Sequence, residues 1–475
     1  MRIDVRFPRH AVFERGFARL REEFQVAEAF SAEVEAEALR AAERASDASA
    51  AADRGDFRDL AFVTIDPEGA QDLDQAFTAE RRGEGFRVFY AIADVGHFVA
   101  PHGLLDEAAR ARGVTFYAPD QKASLHPEPI SHAAGSLLPG QDRPALVWTL
   151  DLGPDGALEH AHVERAIVRS RAARSYEEVD EDLARPEPDP VHALLAEIGQ
   201  LRQQREIARG GVSLRLPSQE VVLGGQGYAL AFRDVLPVEN WNAQISLLTG
   251  IAAARMMLAG RCGLLRTLPS ASDDTVRFLR RHSRALGVEY AEAMSYPEWV
   301  RSLDPALPAH AALMTQAARA FRGAAYVGFR GQAPEVHQHG AIASAYAHVT
   351  APLRRLIDRF GNEIVLALAA GRTPPGWAIE ALDAVPELMM DASRRERAFE
   401  RALVDFAEAV VLAPRVGETF DAVVTHMDRG RATLQIREPA IVARVRDFDA
   451  GLGDEVSVRL VDADPDTRKL EFERT

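Results

Sequence analysis

Residues 64–75 have the sequence Thr-Ile-Asp-Pro-Glu-Gly-Ala-Gln-Asp-Leu-Asp-Gln, in which three aspartates fall within nine positions. The apolar run before them, residues 60–65, is typical of a strand, and the Pro-Glu-Gly that follows Asp66 predicts a turn. Carboxylates crowded at a strand end repel one another unless they share a proton or bind a cation. The stretch therefore predicts a strand and turn that bring Asp66, Asp72 and Asp74 together.

The donor atoms of this cluster indicate which cation it would bind. All are oxygens, with no histidine or cysteine nearby, and such sites favour Mg²⁺ or Mn²⁺ over zinc. The alternative is that these are ordinary turn and helix-capping aspartates. The spacing does not fit an EF-hand loop. On spacing alone, both the metal site and the capping role remain open.

Composition narrows the class of protein. The chain has 475 residues, 47% of them hydrophobic, which suits a globular protein of two or three domains. Cys262 is the one cysteine, so neither an internal disulfide nor a cysteine zinc cluster can form. The first ten residues lack a signal-peptide core and no apolar run approaches the ~20 residues of a membrane span, so we expect a cytoplasmic protein without a membrane partner.

The net charge of −15 argues against a protein that coats nucleic acid with its whole surface. Any positive charge that binds RNA must then be concentrated in a groove or channel. Nearly all the basic residues are arginines, whose planar guanidinium groups suit phosphates, and the lysines are Lys122 and Lys469.

Residues 1–57 are predicted to form a helical unit. Phe13, Phe17, Leu20 and Phe24 have the spacing of one helix face, and a second helix is expected at about residues 31–44. Two helices joined by a short turn are either a helix-turn-helix or an amphipathic cap on the next domain. Residues 46–57 are polar and are expected to be a linker.

Residues 58–415 are predicted to form one large α+β domain of mixed sheet and helices. Alternating or apolar runs predict strands at residues 60–65, 86–95, 145–152 and 160–169, and helical patterns cover residues 241–259, 309–322 and much of 354–412. Residues 416–475 are expected to form a small OB-fold barrel, because five short strands follow one another there. A small β-sandwich is the alternative.

Several motifs in fixed order make a more specific signal than the aspartates alone. After residues 64–75 come Ile-Ala-Asp-Val at 92–95, Arg-Gly-Val-Thr-Phe-Tyr-Ala-Pro-Asp at 112–120, Ser-Leu-His-Pro-Glu-Pro-Ile-Ser at 124–131, Ser-Leu-Leu-Pro-Gly at 136–140 and Tyr-Ala-His-Val-Thr-Ala-Pro-Leu-Arg-Arg at 346–355. In this order they resemble the catalytic domain of the ribonuclease II family, also called RNB. The resemblance covers about residues 58–415, and the tail resembles the OB-fold RNA-binding domain of the same enzymes.

The resemblance implies roles for individual residues. Asp66, Asp72, Asp74 and Gln75 match the family's metal site, with Asp74 the residue most closely tied to the chemical step. Arg354 matches an arginine that contacts the scissile phosphate, where its charge would stabilise the charge developing on the oxygens.

The resemblance also implies an RNA path. Tyr117 matches a tyrosine that stacks on the 3′-terminal nucleotide, and Tyr176 matches a tyrosine that lines the path. Arg355, Glu400 and Arg401 are expected to contact RNA beside them. The alternatives are a surface role for the arginines, a half-buried core role for the tyrosines, and exposed helix pairing for Glu400 and Arg401.

Some positions depart from the family pattern. Many members have a fourth aspartate at Gln75, whose amide oxygen can bind Mg²⁺ but brings no charge, so one metal ion and two remain open. Leu214 replaces a base-clamping phenylalanine, and Ala243 and Gln244 replace paired glutamates, which predicts weaker discrimination of RNA from DNA. The motif that follows the arginines is altered at Leu356 and at Asn362-Glu363. The first 57 residues cannot hold two cold-shock-type barrels, so we expect a more open entrance that tolerates duplex RNA.

The predicted function is hydrolysis of single-stranded RNA from a free 3′ end, 3′→5′, to nucleoside 5′-monophosphates by Mg²⁺-activated water. We expect a monomer with no obligate protein partner. One alternative is an RNA-binding regulator on a nuclease scaffold that has lost catalysis, and another is a Mg²⁺-dependent small-molecule phosphatase. Zinc binding by His337, His339 and His348 is not expected.

Overall fold

The computed structural model describes residues 10–45, 53–214, 218–224, 227–233, 235–305, 307–428, 430–436, 439–446 and 448–475. Within these ranges the helices are α1 (His10–Glu23), α2 (Ala32–Ala45), α3 (Leu104–Arg112), α4 (Tyr176–Leu183), α5 (Pro190–Ala208), α6 (Pro237–Ala259), α7 (Asp273–Ala285), α8 (Tyr296–Ser302), α9 (Pro308–Ala317), α10 (Leu356–Ala369), α11 (Gly376–Glu380) and α12 (Ala384–Leu412). None of them combines the length and apolar character needed to cross a bilayer.

The strands in the same ranges are β1 (Gly55–Asp56), β2 (Val63–Asp66), β3 (Gln75–Arg82), β4 (Gly85–Ala93), β5 (Phe116–Tyr117), β6 (Lys122–Ala123), β7 (Asp142–Leu152), β8 (Leu158–Arg169), β9 (Ala172–Ser175), β10 (Ser218–Gly224), β11 (Gly227–Arg233), β12 (Cys262–Thr267), β13 (Ala325–Arg330), β14 (Thr419–Asp428), β15 (Arg431–Ile436), β16 (Ile441–Arg446), β17 (Glu455–Asp464) and β18 (Lys469–Arg474). This mixture confirms the predicted α+β class.

A mixed sheet of seven strands, in the order β1-β8-β7-β4-β3-β2-β9, forms the centre of the large α+β domain. Its middle strands are joined by antiparallel pairing, whereas β1 pairs with β8 and β2 with β9 in parallel. Helices cover the sheet, and Trp148, Tyr90 and Phe77 are fully buried in its core. β1 lies in the segment expected to be a linker, of which residues 46–52 are outside the described residues.

The two N-terminal helices pack on the large α+β domain as a cap. Phe13 and Phe17 of α1 contact the ring of Phe406 on α12, with ring centroids 6.0 and 5.8 Å apart. A Cβ at Gly16 would lie 1.9 Å from that ring, so glycine permits the close approach. α2 packs instead against α3 and the turn at residues 129–134. These contacts fit an amphipathic cap, and the helix-turn-helix stays a prediction.

The C-terminal barrel, β14–β18, has the strand order β16-β15-β14-β17-β18 and its outer strands approach each other, as an OB-fold requires. Alternating inward apolar residues fill it, among them Phe420, Val458 and Phe472. The barrel lies against α12, which is 29 residues long and also passes the catalytic site. Between β12 and β13, helices α7–α9 form an insertion with an apolar core of its own.

Candidate active site

The predicted aspartates flank one turn at the edge of the central sheet. β2 ends at Asp66, the chain turns through Gly69 at φ +78°, and β3 begins at Gln75. That positive φ favours glycine, because other side chains clash there. The returning segment is anchored by Ser136, whose hydroxyl accepts from the Leu73 amide at 2.9 Å.

Asp74 is the most buried of the three carboxylates, with 3% of the residue exposed. Its Oδ1 accepts the Leu353 amide at 2.7 Å, and its Oδ2 lies 3.5 Å from Nε of Arg354. Burial and, to a smaller extent, the charge of Asp72 raise the pKa of Asp74. Arg354 and the Leu353 amide act in the opposite direction, and the resulting pKa is about 8. A cation at this site would therefore have to displace a proton from Asp74.

Asp72 and Asp66 have different surroundings. Asp72 accepts from the ammonium of Lys122 at 2.6 Å and from the hydroxyl of Tyr117 at 3.2 Å. No hydrogen bond or ion pair within the described residues engages the Asp66 carboxylate. Burial raises the pKa of Asp66 to about 6, and the Asp72 charge acts in the same direction while that of Arg354 opposes it. The charge of Asp72 thus raises the pKa of both other carboxyl groups.

Gln75 is held by two hydrogen bonds of its side-chain amide. Nε2 donates to the carbonyl of Thr350 at 2.5 Å, and Oε1 accepts from the hydroxyl of Tyr90 at 2.8 Å. The amide therefore links β3 and β4 to the segment that carries Arg354. In this arrangement the side-chain oxygen of Gln75 already accepts a hydrogen bond from Tyr90.

Arg354 and Arg355 are adjacent but differ in environment. The Arg354 side chain is 47% exposed and reaches Asp74, whereas Arg355 donates to both oxygens of Asp358 at 2.9 and 2.8 Å. The Arg354 carbonyl accepts the Thr115 amide at 3.0 Å, which ties this segment to the chain just before Tyr117. Arg354 is therefore available to a ligand, while the charge of Arg355 is already matched.

Two tyrosines lie beside the carboxylates. Tyr117, on β5, is 40% exposed although it is a large aromatic residue. Tyr176 begins α4 and is half-buried near Asp66; burial first, and then the Asp66 charge, raise the pKa of its phenol. Both are placed where a base could stack near the carboxylates.

Glu400 and Arg401 lie farther along α12, in a groove against the C-terminal barrel. This arginine groove has a volume of about 1070 Å³, and its basic lining residues are Arg397, Arg401, Arg431, Arg444, Arg446, Arg468 and Lys469. Glu400 and Arg401 thus line this groove. The acidic residues Asp405, Glu408 and Glu471 line it as well, so basic residues outnumber acidic ones there although the chain has a net charge of −15.

Glu396 is a residue that the sequence analysis missed. It lies one helical turn before Glu400, and burial together with the Glu400 charge raises its pKa to about 7, while Arg397, Arg355 and Arg354 lower it. The charges of Arg354 and Arg355 thus act on Glu396. The spacing of four between the two glutamates could have flagged both, but not which of them the two arginines influence.

The positions that depart from the family pattern lie in different surroundings. Gln244 is buried and donates to the carboxylate of Glu206, whereas Ala243 is exposed. Leu214 packs against the core of the helical insertion, and Leu356 is buried. Glu363 pairs with Arg165.

Two of the histidines predicted not to bind zinc, His337 and His348, are held by side-chain hydrogen bonds. His348 Nδ1 lies 2.9 Å from the Tyr326 hydroxyl, and His337 Nδ1 lies 3.1 Å from the Pro334 carbonyl. In the part of the chain that the structure describes, no three acidic, histidine or cysteine side chains converge closely enough to enclose a metal ion. A metal ion bound to the aspartates would therefore need ligands from water or substrate as well.

Comparison with known protein families identifies two domains in the chain. The RNB domain model matches residues 54–369, and the model of the RNase II-type exonuclease C-terminal S1 domain matches residues 418–475. Ribonuclease R of Escherichia coli is 29% identical over 411 residues, which cover 79% of this chain and 49% of that protein. The chain thus spans about half the length of this curated relative.

Solved structures agree on the fold. RNase R of Mycoplasma genitalium, in complex with ribose-methylated single-stranded RNA, superposes with a TM-score of 0.86 at 18% identity, over 98% of this chain and 78% of that one. Yeast Ssd1, a pseudonuclease, superposes with a TM-score of 0.70 at 18% identity, over 90% of this chain and 54% of that one. The ordered motifs, the sheet and the matched domains lead to one conclusion: the chain belongs to the RNB-domain family.

Proposed function

We propose that this protein is a 3′→5′ exoribonuclease that hydrolyses single-stranded RNA to nucleoside 5′-monophosphates. The observation that carries the proposal is the ion pair of Asp74 with a half-exposed Arg354, beside an exposed Tyr117 whose hydroxyl donates to Asp72. The E. coli relative is a ribonuclease R, and the M. genitalium neighbour was solved with single-stranded RNA bound.

Asp66, Asp72 and Asp74 fit a divalent cation because their donors are all carboxylate oxygens, and the Asp66 carboxylate has no partner within the described residues. Mg²⁺ takes a few carboxylates and completes its shell with water and phosphate oxygens, so a partly formed cage suffices. We propose Mg²⁺, or Mn²⁺, as the cofactor. When bound, such an ion would neutralise phosphate charge and lower the pKa of a water molecule. Gln75 adds no charge, which favours one tightly held ion over two.

The chain's own residues would bind and orient the strand. The ring of Tyr117 stacks on the 3′-terminal base, a contact worth about 1–3 kcal/mol for any base. Arg354 meets the scissile phosphate and stabilises the charge that develops on its oxygens. The carboxylate of Glu396 accepts hydrogen bonds from hydroxyls of the terminal sugars. Tyr176 and the arginine groove, with Glu400 and Arg401, guide the strand from the C-terminal barrel toward the carboxylates.

This arrangement makes other functions less suitable. A phosphatase for small molecules has no use for a groove of about 1070 Å³ lined by seven arginine and lysine residues. A regulator that has lost catalysis is the second candidate. The ion pair of Lys122 with Asp72 and the amide at Gln75 favour it, because both reduce the negative charge available to a cation.

Incubation of the protein with 5′-labelled RNA bearing a 3′ extension, and with the matching DNA, tests the proposal. Mg²⁺ and EDTA are compared, beside Asp74→Asn. A ladder from RNA that needs Mg²⁺ and disappears in Asp74→Asn supports the exoribonuclease. RNA that is bound but never cleaved supports the regulator. Equal loss of DNA means that the changes at Ala243 and Gln244 weaken sugar discrimination.

A further inference from the structure

Tyr117 is carried by a hairpin that is too small to fix its own position. Its strands, β5 and β6, have two residues each, and a short isolated two-stranded ribbon is at best marginally stable. Tyr117 pairs with Lys122 across this ribbon, and both side chains contact Asp72. The direction of the Tyr117 ring must therefore be set by whatever packs behind the hairpin.

The strongest support comes from the N-terminal cap. Arg21, in the last turn of α1, is 6% exposed, and its Nη1 donates to both carboxylate oxygens of Asp120 at 2.9 and 3.0 Å. Asp120 lies in the turn between β5 and β6. Arg21 also donates to the carboxylate of Glu28, in the connector between α1 and α2. An ion pair that is largely withdrawn from water is costly to break, because the remaining partner keeps an uncompensated charge.

A second set of contacts joins the same connector to the other end of the hairpin. The guanidinium of Arg112 lies 3.9 Å from the centroid of the Phe30 ring and donates to the carbonyl of Ala29 at 3.4 Å. Arg112 also donates to the carbonyl of Ser124, one residue after β6. The cap thus holds the hairpin at its turn and at its exit.

A row of aromatic rings connects the end of α1 to the strand that carries Tyr117. Phe24, just after α1, lies 5.9 Å from Phe399 of α12, and Phe399 lies 6.1 Å from Phe116. Phe116 directly precedes Tyr117 on β5. Displacement of α1 would therefore disturb the residue next to the stacking tyrosine.

We propose that α1 and the α1–α2 connector position the Tyr117 hairpin, so that Arg21 sets how firmly the 3′-terminal base is stacked. Arg21 is a positioning residue, because it acts through Asp120 and touches no RNA. The inference rests on the proposed function. Residues 10–45 lie outside the segment matched by the RNB domain model, which begins at residue 54.

The test uses RNA with 2-aminopurine at the 3′ end, whose fluorescence is quenched by stacking, in EDTA so that no turnover is needed. Arg21→Met should reduce the quenching at saturation by at least half. The affinity for a matching RNA that lacks the base on its 3′-terminal sugar, measured by anisotropy of a 5′ fluorescein, should change less than about twofold. Arg19→Met is the matched control, because Arg19 is on the same helix but pairs with Asp466 of the barrel. It should leave the quenching unchanged.

Further variants keep the test decisive. Asp120→Asn removes the same ion pair from the other side, and should reproduce the loss if Arg21→Met fails to fold. Arg21→Lys retains a cation and should restore part of the quenching. Quenching in Arg21→Met or Asp120→Asn that equals the wild type would overturn the proposal, as would a wild type that does not quench. A wild type that quenches in this way but never cleaves RNA with Mg²⁺ would instead refute the exoribonuclease.

Discussion

Glu408 gives a prediction whose magnitude follows from its surroundings. It lies on α12 with 3% of the residue exposed, and its Oε1 accepts from the Val442 amide of the barrel at 2.7 Å and from the Gln219 amide at 2.6 Å. Burial, assisted by the charge of Asp405, raises the pKa of Glu408 from 4.5 to about 7, because these hydrogen bonds and the charge of Arg444 only partly offset the loss of water.

The sign of the effect follows from proton binding. Between pH 4.5 and 7 the folded protein holds a proton on Glu408 that the unfolded chain has lost. The free energy of unfolding therefore falls as the pH rises through this window, and is constant above it. A shift of about 2.5 pH units corresponds to roughly 3 kcal/mol as an upper limit. Glu408→Gln keeps an acceptor oxygen without the charge, so it should be more stable than the wild type at pH 8 and similar at pH 4.5.

The assay is the melting temperature of wild type, Glu408→Gln and Glu387→Gln from pH 4.5 to pH 8. Glu387 is an exposed glutamate of the same helix and serves as the matched control. Because other groups titrate in this range, the informative quantity is the difference between variant and wild type at each pH. The reasoning is refuted if Glu408→Gln melts at or below the wild type at pH 8, or if the difference does not grow with pH.

Four further substitutions test the site itself. Tyr117→Ala should weaken binding of an RNA 3′ end by about 5–150-fold, the equivalent of 1–3 kcal/mol of lost stacking, in an anisotropy titration in EDTA; an unchanged affinity would remove Tyr117 from the RNA path. Arg354→Ala should lower kcat by about 10²–10³-fold, whereas Arg355→Ala should mainly lower the melting temperature by stranding its carboxylate partner; the reverse pattern would exchange their roles. Lys122→Met should tighten Mg²⁺ binding several-fold in calorimetry, because it frees a carboxylate oxygen of Asp72; weaker binding would mean that Lys122 supports the cation site.

Strands that carry a regular alternation of apolar residues could be predicted from the sequence, whereas a strand that depends on pairing with a distant segment could not. The five short strands predicted in residues 416–475 are all observed there, because alternating apolar residues mark each one. Strand β1 was missed because Gly55 and Asp56 have no strand propensity of their own and pair only through β8.

The site was predictable to the extent that its residues lie in ordered motifs. Sequence alone could not separate Arg354 from Arg355, since the difference depends on the helix geometry that places Asp358 three residues after Arg355. The contact of Lys122 with Asp72 spans 50 residues, and no periodic pattern records it.

The identity of the first product tests the central claim most directly. RNA labelled at the phosphate before its last nucleotide is mixed with excess protein and Mg²⁺, and the earliest labelled product is identified by chromatography. Hydrolysis at the 3′ end by this site predicts that the label appears first in a nucleoside 5′-monophosphate, and that Asp74→Asn releases none. A label that appears first in internal fragments, or that remains at the new 3′ end of the shortened RNA, would contradict the account.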